Sequence, residues 1–293
     1  MNLTDLLNDK KIDPTQVAVI RHRPQEKQLN KVLPWLAAER PDLFNAYQQT
    51  QNPKAEATFL KAKYLASFLG RKPGKALFVG LYKINGSTVM GYDACQQQPA
   101  VAELIGHGMG GGSAPEKPAT IRWFDLTLDE SFYPNWKGRL VVKWPPPEIG
   151  YCRWAHTNDF PILAIHESSV LDAAMPSWDV LVLPWDQLGL IPSRWQDELK
   201  RWRGVYYIFD GSDGKGYVGS ATGEDNIGGR WIDGYAKSGH GGNTLLVGRD
   251  PKNFRFSMLQ LVAHDMDPAA VVNLEASWKR RLHTRAPFGL NEN

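Results

Sequence analysis

Cysteine is nearly missing from this chain: Cys95 and Cys152 are the only two in 293 residues, they stand far apart, and no second cysteine lies near either. The sequence therefore implies neither a disulfide framework nor a zinc site, and the thiols are expected to be reduced. Long apolar runs are missing too. Ala76–Tyr82 and Val180–Trp185 are far shorter than the ~20 residues that cross a bilayer as a helix. The opening Met1-Asn2-Leu3-Thr4-Asp5 lacks the basic-then-apolar pattern of a secretory signal. These absences lead to the expectation of a cytoplasmic protein with no membrane partner. An excess of one charge is almost absent, with a formal net charge of +3, so bulk charge is only a weak pointer to a polyanion. No internal repeat is visible.

What is present is ordinary globular material, 42% hydrophobic and 22% charged, in a chain long enough for two domains. The charge is unevenly placed. Residues 200–293 hold thirteen Lys/Arg against ten Asp/Glu, whereas residues 1–199 hold twenty-one of each.

Residues 1–70 carry mostly helical spacing, with Val17–Ile20 as a strand candidate. Leu29, Val32, Leu33 and Leu36 recur at helical intervals, and Leu60, Tyr64 and Phe68 extend the period until Gly70. From Lys75 the pattern becomes that of strands: Ala76–Ile84, a turn at Asn85-Gly86, Thr88–Tyr92, Ile121–Leu126, Leu140–Trp144, Ile162–His166 and Val180–Leu183. The expected class is α+β, with a helical lead-in and a β-rich barrel or sandwich. The Gly-rich stretch Gly106–Ser113 lacks the ending of a phosphate-binding loop and reads as a mobile surface loop. Pro145-Pro146-Pro147 reads as a rigid turn. An amphipathic helix over 192–202 leads to a domain boundary at about 190–200, which divides the chain into 1–195 and 200–293.

The chain then reaches Gly204-Val205-Tyr206-Tyr207-Ile208-Phe209-Asp210, the turn Gly211–Gly216, and Tyr217-Val218-Gly219, which reads as a β-hairpin. Behind it stand Arg230 in a helical stretch, His240 and Asn243 in a Gly-rich loop, Glu275 in a second helical stretch, and Asn291. In order and spacing, Gly204-Val205-Tyr206, Tyr217-Val218-Gly219, Gly229-Arg230-Trp231, Leu274-Glu275 and Gly289-Leu290-Asn291 resemble the GIY-YIG nuclease superfamily over about residues 202–293. The first 190 residues carry no such resemblance. Some relatives in that superfamily carry a tyrosine or histidine four residues beyond the arginine, whereas Tyr235 stands five beyond Arg230.

The resemblance implies a small α/β sandwich with a short central antiparallel sheet and a metal-dependent endonuclease site. Phosphodiester hydrolysis needs a nucleophilic water, a proton acceptor, and positive charge facing the phosphorane. Glu275 would hold Mg²⁺ (or Mn²⁺), which one carboxylate can bind because the ion keeps most of its waters. Arg230 offers a planar fork to phosphate oxygens. Tyr206 would accept the proton, although a free phenol has a pKa of about 10. Tyr217 would orient the water or phosphate, His240 would polarise the leaving group or share the base role, and Asn291 would orient its neighbours. Each has a plainer reading: packing for the tyrosines, a solvated charge for Arg230, loop flexibility for His240, and an ion pair with Lys279 or Arg280 for Glu275. Tyr207 falls on the opposite strand face and reads as structural.

Lys279, Arg280, Arg281 and Arg285 form a basic run beside Glu275, suited to DNA phosphates. Residues 1–190 would then select the target, for which Trp123, Trp136, Trp144, Trp154, Trp178 and Trp185 offer stacking surfaces, with core packing as the plainer reading. The expected function is a DNA endonuclease of restriction or phage/mobile-element type. One centre cuts one strand, so a double-strand break would need a homodimer or two encounters. The alternative is a DNA-binding or scaffold protein with an inactive nuclease fold.

Overall fold

The computed structural model describes residues 1–70, 72–110, 118–171 and 175–292. The chain is α+β and divides into two compact units, Met1–Ala173 and Ala174–Asn293.

The N-terminal unit is built on one seven-stranded sheet made of β1 (Val17–His22), β2 (Tyr64–Leu69), β3 (Lys75–Gly91), β4 (Thr120–Leu128), β5 (Leu140–Lys143), β6 (Cys152–Trp154) and β7 (Ile162–Ile165). The order is β6-β1-β2-β3-β5-β7, with β4 also paired to β3, and the sheet curls into a half-barrel. The sandwich alternative, which needs two facing sheets, is thereby corrected. β1 and β2 run parallel, in register from Val17↔Tyr64 to His22↔Leu69. A parallel pair needs a crossover. Three helices supply it, Lys27–Glu39, Pro41–Gln49 and Pro53–Phe59. The last two open on proline at the first turn, where no N–H is needed. Asn52 caps the third by accepting the Ala55 N–H at 3.0 Å.

Both faces of these parallel strands are covered. Val17, Val19, Ala66 and Phe68 belong to one apolar cluster, and Ala18, Ile20 and Leu65 to another. This corrects the reading of Tyr64 and Phe68 as the end of a helical period. A strand buried on both faces shows a continuous apolar run without alternation, which cannot be told from a buried helix by spacing alone. A second correction concerns Asn85-Gly86. The chain does not turn there: β3 continues through seventeen residues, and the pair sits at a bulge between Ile84 and Gly86 in its pairing with β4. In the Gly-rich stretch, Gly106 closes the helix Pro99–Gly106, and Gly111–Ser113 lie outside the described residues.

The C-terminal unit carries a four-stranded antiparallel sheet in the order β10-β9-β11-β8, from β8 (Val182–Pro184), β9 (Gly204–Asp210), β10 (Gly216–Ala221) and β11 (Phe254–Leu261). β8 was expected in the N-terminal sheet. Instead Leu183 pairs with Phe256 of β11, so the boundary falls near residue 174 rather than at 190–200. The helix Ser193–Arg201 matches the expected amphipathic segment and buries Leu199 completely. On one sheet face Tyr206, Ile208, Trp231, Tyr235, Phe254 and Phe256 form the core. On the other, Val205 and Val218 meet Val271 of the helix Pro268–Arg281, with Tyr207, Leu274 and Trp278 against them. Asp267 caps that helix through the Ala269 N–H at 3.2 Å.

Candidate functional site

The hairpin turn is built locally. Asp210 accepts the Ser212 N–H at 2.9 Å and its hydroxyl at 2.6 Å, while Arg249 donates to Asp210 at 2.7 Å and to Asp213 at 3.0 Å. Strand alternation then sends Tyr206 and Tyr217 to the same sheet face, since Tyr217 lies opposite Ile208 and Gly219 opposite Tyr206. Gly219 makes room for the pair. A Cβ there would come within 2.5 Å of the Tyr206 hydroxyl and 2.9 Å of the Tyr217 ring. Any side chain at 219 would push the phenols apart.

A third phenol joins them. Tyr206 and Tyr235 share a hydrogen bond at 3.1 Å, with their rings edge to face and centroids 6.1 Å apart, and Tyr217 lies close enough to act on the Tyr235 phenol. Tyr235 reaches this position because Gly229–Tyr235 is a π-helix. Its wider turn returns to the same face after about five residues rather than four. The one-residue offset from Arg230 is thus absorbed by the backbone. Ordinary helical spacing hides this, so the five-residue offset from Arg230, visible in the sequence, left the role of Tyr235 open and kept it out of the expected site. Trp185 fixes the end of the turn by donating to the Tyr235 carbonyl at 2.8 Å.

Burial governs the acid–base state of the phenols. Tyr206 is 1% exposed, and desolvation pushes its proton affinity well above that of a free phenol. Nearby Tyr217 and Glu275 add to the rise, and the Tyr235 hydrogen bond and the Arg230 charge only partly oppose it. Tyr217, half-buried, is raised by burial and Glu275 against the pull of Tyr235 and Arg230. Tyr235 is raised furthest, by burial and then by its two phenol neighbours. In the resting protein all three are neutral, which works against Tyr206 as a ready base. The same interactions reveal placement: the charges of Arg230 and Glu275 both reach Tyr206 and Tyr217. Arg230 itself is exposed and makes no ion pair among the described residues.

Glu275 comes from the helix beneath the sheet and meets β10, the edge strand. One carboxylate oxygen accepts a hydrogen bond from the Ser220 hydroxyl. The other pairs with Lys279 at 2.7 Å, both side chains being largely covered at 16% and 11% exposure. The plainer reading of Glu275 is therefore realised with Lys279, which takes Lys279 out of the expected DNA-facing run. Arg281 stacks over the Trp278 ring, 3.9 Å from its centroid. Arg280 and Arg285 are exposed.

Among the described residues no group of three or more His, Cys, Asp or Glu side chains converges as a metal cage. A single carboxylate is a donor set suited only to an ion that keeps its waters, such as hydrated Mg²⁺ or Mn²⁺. An arriving cation would have to replace Lys279 on Glu275.

His240 lies in a loop folded onto Tyr235. At Gly241, φ is +57° and a Cβ would fall 2.6 Å from the Tyr235 ring. The His240 Nδ1 accepts the Gly242 N–H at 3.1 Å, so the neutral ring carries its proton on Nε2 and offers a donor rather than a base. Asn291 is 3% exposed. It grips β10 by accepting from Val218 N at 3.0 Å and donating to Val218 O at 2.8 Å. Asn243 caps its loop through Leu245 N at 3.0 Å and donates to Leu290 O at 3.3 Å. Both asparagines position other groups. No helix of the described residues is long and apolar enough to cross a membrane. Comparison with family models, curated proteins and solved structures returned no match to this chain.

Proposed function

We propose that the C-terminal unit is a GIY-YIG-type nuclease domain, a small α/β sandwich around its antiparallel sheet, and that it hydrolyses DNA phosphodiesters. The observation that carries the reading is the meeting of Tyr206, Tyr217 and Tyr235 on one sheet face, with Arg230 on the same π-helix as Tyr235 and Glu275 against edge strand β10 through Ser220, both charges acting on Tyr206 and Tyr217. Arg230, exposed and unpaired, suits a phosphate oxygen bidentately. Tyr217, the phenol nearest solvent, donates to the phosphate or to the attacking water, and Tyr206 packs beside its ring with centroids 6.3 Å apart. His240 presents Nε2–H to the leaving oxyanion. Glu275 would hold Mg²⁺ or Mn²⁺, which supplies a Lewis acid beside the phosphate. The N-terminal unit selects the DNA, in a restriction or mobile-element setting.

A second reading rests on the Lys279–Glu275 pair and the neutral phenols: a DNA-binding protein whose nuclease site has gone silent. Plasmid incubated with wild type and Glu275→Gln, in Mg²⁺ or in EDTA, separates the two. Nicking by wild type in Mg²⁺ alone is the expected result. A gel shift without nicking in every arm would select the second reading.

A further inference from the structure

The N-terminal unit contains a cleft of about 950 Å³, at the upper end of the ~300–1,000 Å³ common for small-molecule sites. It opens where β1 ends, with Arg21 and His22 in its floor. The carboxyl end of a strand in a parallel pair is where open α/β sheets bind ligands.

The chemistry of the cleft is polar but balanced. Arg21, Arg23, Glu26 and Glu148 all line it, and Arg21 donates to Glu148 at 3.2 Å. A free phosphate or carboxylate finds no surplus of positive charge. Arg21 is 2% exposed, yet its Nε has no partner. His22 is buried against Gln48 at 3.3 Å, and burial depresses its pKa to about 4, so it stays uncharged. Two phenol rings, Tyr47 and Tyr151, stand in the wall, with Tyr151 close enough to add to the burial that raises the proton affinity of Tyr47. None of the expected tryptophans lines the cleft: Trp144 belongs to one core cluster, with Trp136 packed against it, Trp154 packs against another, Trp178 and Trp185 pack in the C-terminal unit, and Trp123 is bridged to Thr50 at the cleft's edge. Neutral donors and acceptors between aromatic rings match the edge and face of a heterocyclic base better than they match an anion.

We propose that this cleft takes a nucleobase swung out of a DNA duplex, with Tyr47 and Tyr151 against its face and the buried polar floor reading its edge. The choice of DNA over a free nucleoside rests on the nuclease reading of the other unit. The volume exceeds that of a bare base and leaves room for its sugar or for a substituent on the ring.

The test uses the full-length Glu275→Gln protein in EDTA with a short duplex carrying one 2-aminopurine, whose fluorescence is quenched while stacked. Saturating protein should raise the fluorescence several-fold. Tyr151→Ala and Thr50→Trp, the second filling the cleft without removing a polar partner, should each abolish the rise while still shifting the duplex in a gel. Tyr151→Phe should keep it, and circular dichroism verifies that the variants fold. An unchanged signal with the parent protein, or an equal rise in both cleft variants, overturns the proposal. So does tight binding of free 2-aminopurine riboside without any duplex signal, which would make the cleft a small-molecule site. A rise with the parent, together with no plasmid nicking by wild type, would support the cleft and remove only the nuclease reading.

Discussion

The two units bury polar groups in opposite ways. In the N-terminal cleft the charges are answered on the spot, Arg21 by Glu148, and His22 is kept neutral beside Gln48. In the C-terminal cluster three neutral phenols sit next to an exposed Arg230 and a carboxylate held by a lysine. A centre whose charges are already compensated can discriminate a neutral ligand at little electrostatic cost. A centre with an unanswered guanidinium waits for an anion. On the proposed reading, the contrast assigns recognition to one unit of the chain and reaction chemistry to the other.

The sharpest way to break this comparison is to remove the unanswered charge. Arg230→Ala should lower plasmid nicking on the order of 10²–10³-fold, the scale of losing one donor at a developing anion, while leaving the 2-aminopurine signal intact. Loss of both would mean that the units do not divide the work. Next is acid sensitivity. The folded pKa of His22, about 4, lies below the ordinary ~6.5, so the unfolded chain takes up the proton first. Its contribution is fully present above pH ~6.5 and is lost as pH falls toward 4, by roughly 3 kcal/mol in all. Thermal melts from pH 7 to pH 4.5 should show that decline, and His22→Gln should flatten it. An unflattened slope would place the acid sensitivity outside the cleft.

Smaller effects sharpen the other side. Tyr235→Phe removes a hydroxyl bonded to Tyr206 and should cost about 1 kcal/mol of stability, with nicking reduced because the phenol cluster loses that bond. Melting curves and initial rates check this, the rate reading whether the Tyr206–Tyr235 hydrogen bond bears on the phenol cluster, and an unchanged rate would make Tyr235 a packing residue. Lys279→Met should free a Glu275 oxygen and lower the Mg²⁺ concentration for half-maximal nicking about fivefold, the equivalent of ~1 kcal/mol. A higher requirement would instead mean that the lysine helps to hold the carboxylate in place.

What could be read without coordinates was local. The hairpin announces itself through Asp210, Gly211 and Gly214, whose side chains and backbone freedom act within a few residues. The helix Ser193–Arg201 follows from apolar spacing, and the order of Tyr206, Tyr217, Arg230, Glu275 and Asn291 is a property of the string itself. Where burial is two-sided or pairing is distant, the string is silent. β2 looked helical because both of its faces are covered, Asn85-Gly86 looked like a turn because a bulge uses the same residues, and β8 was assigned to the wrong sheet because only its partner β11 decides its place.

The amino-acid order alone determined which chemical groups exist and in what succession: two candidate phenols, one guanidinium, one carboxylate, and an α+β alternation of periods. Tertiary structure decided which of them meet. A π-turn of the backbone carried Tyr235 to Tyr206, Glu275 took Lys279 rather than Arg280 as its partner, and the stacking candidates in the N-terminal unit became Tyr47 and Tyr151 instead of the tryptophans. The reason is physical. Spacing along a chain constrains neighbours within one helical or strand turn, whereas the desolvation and charge at a site are set by whatever distant segments pack around it.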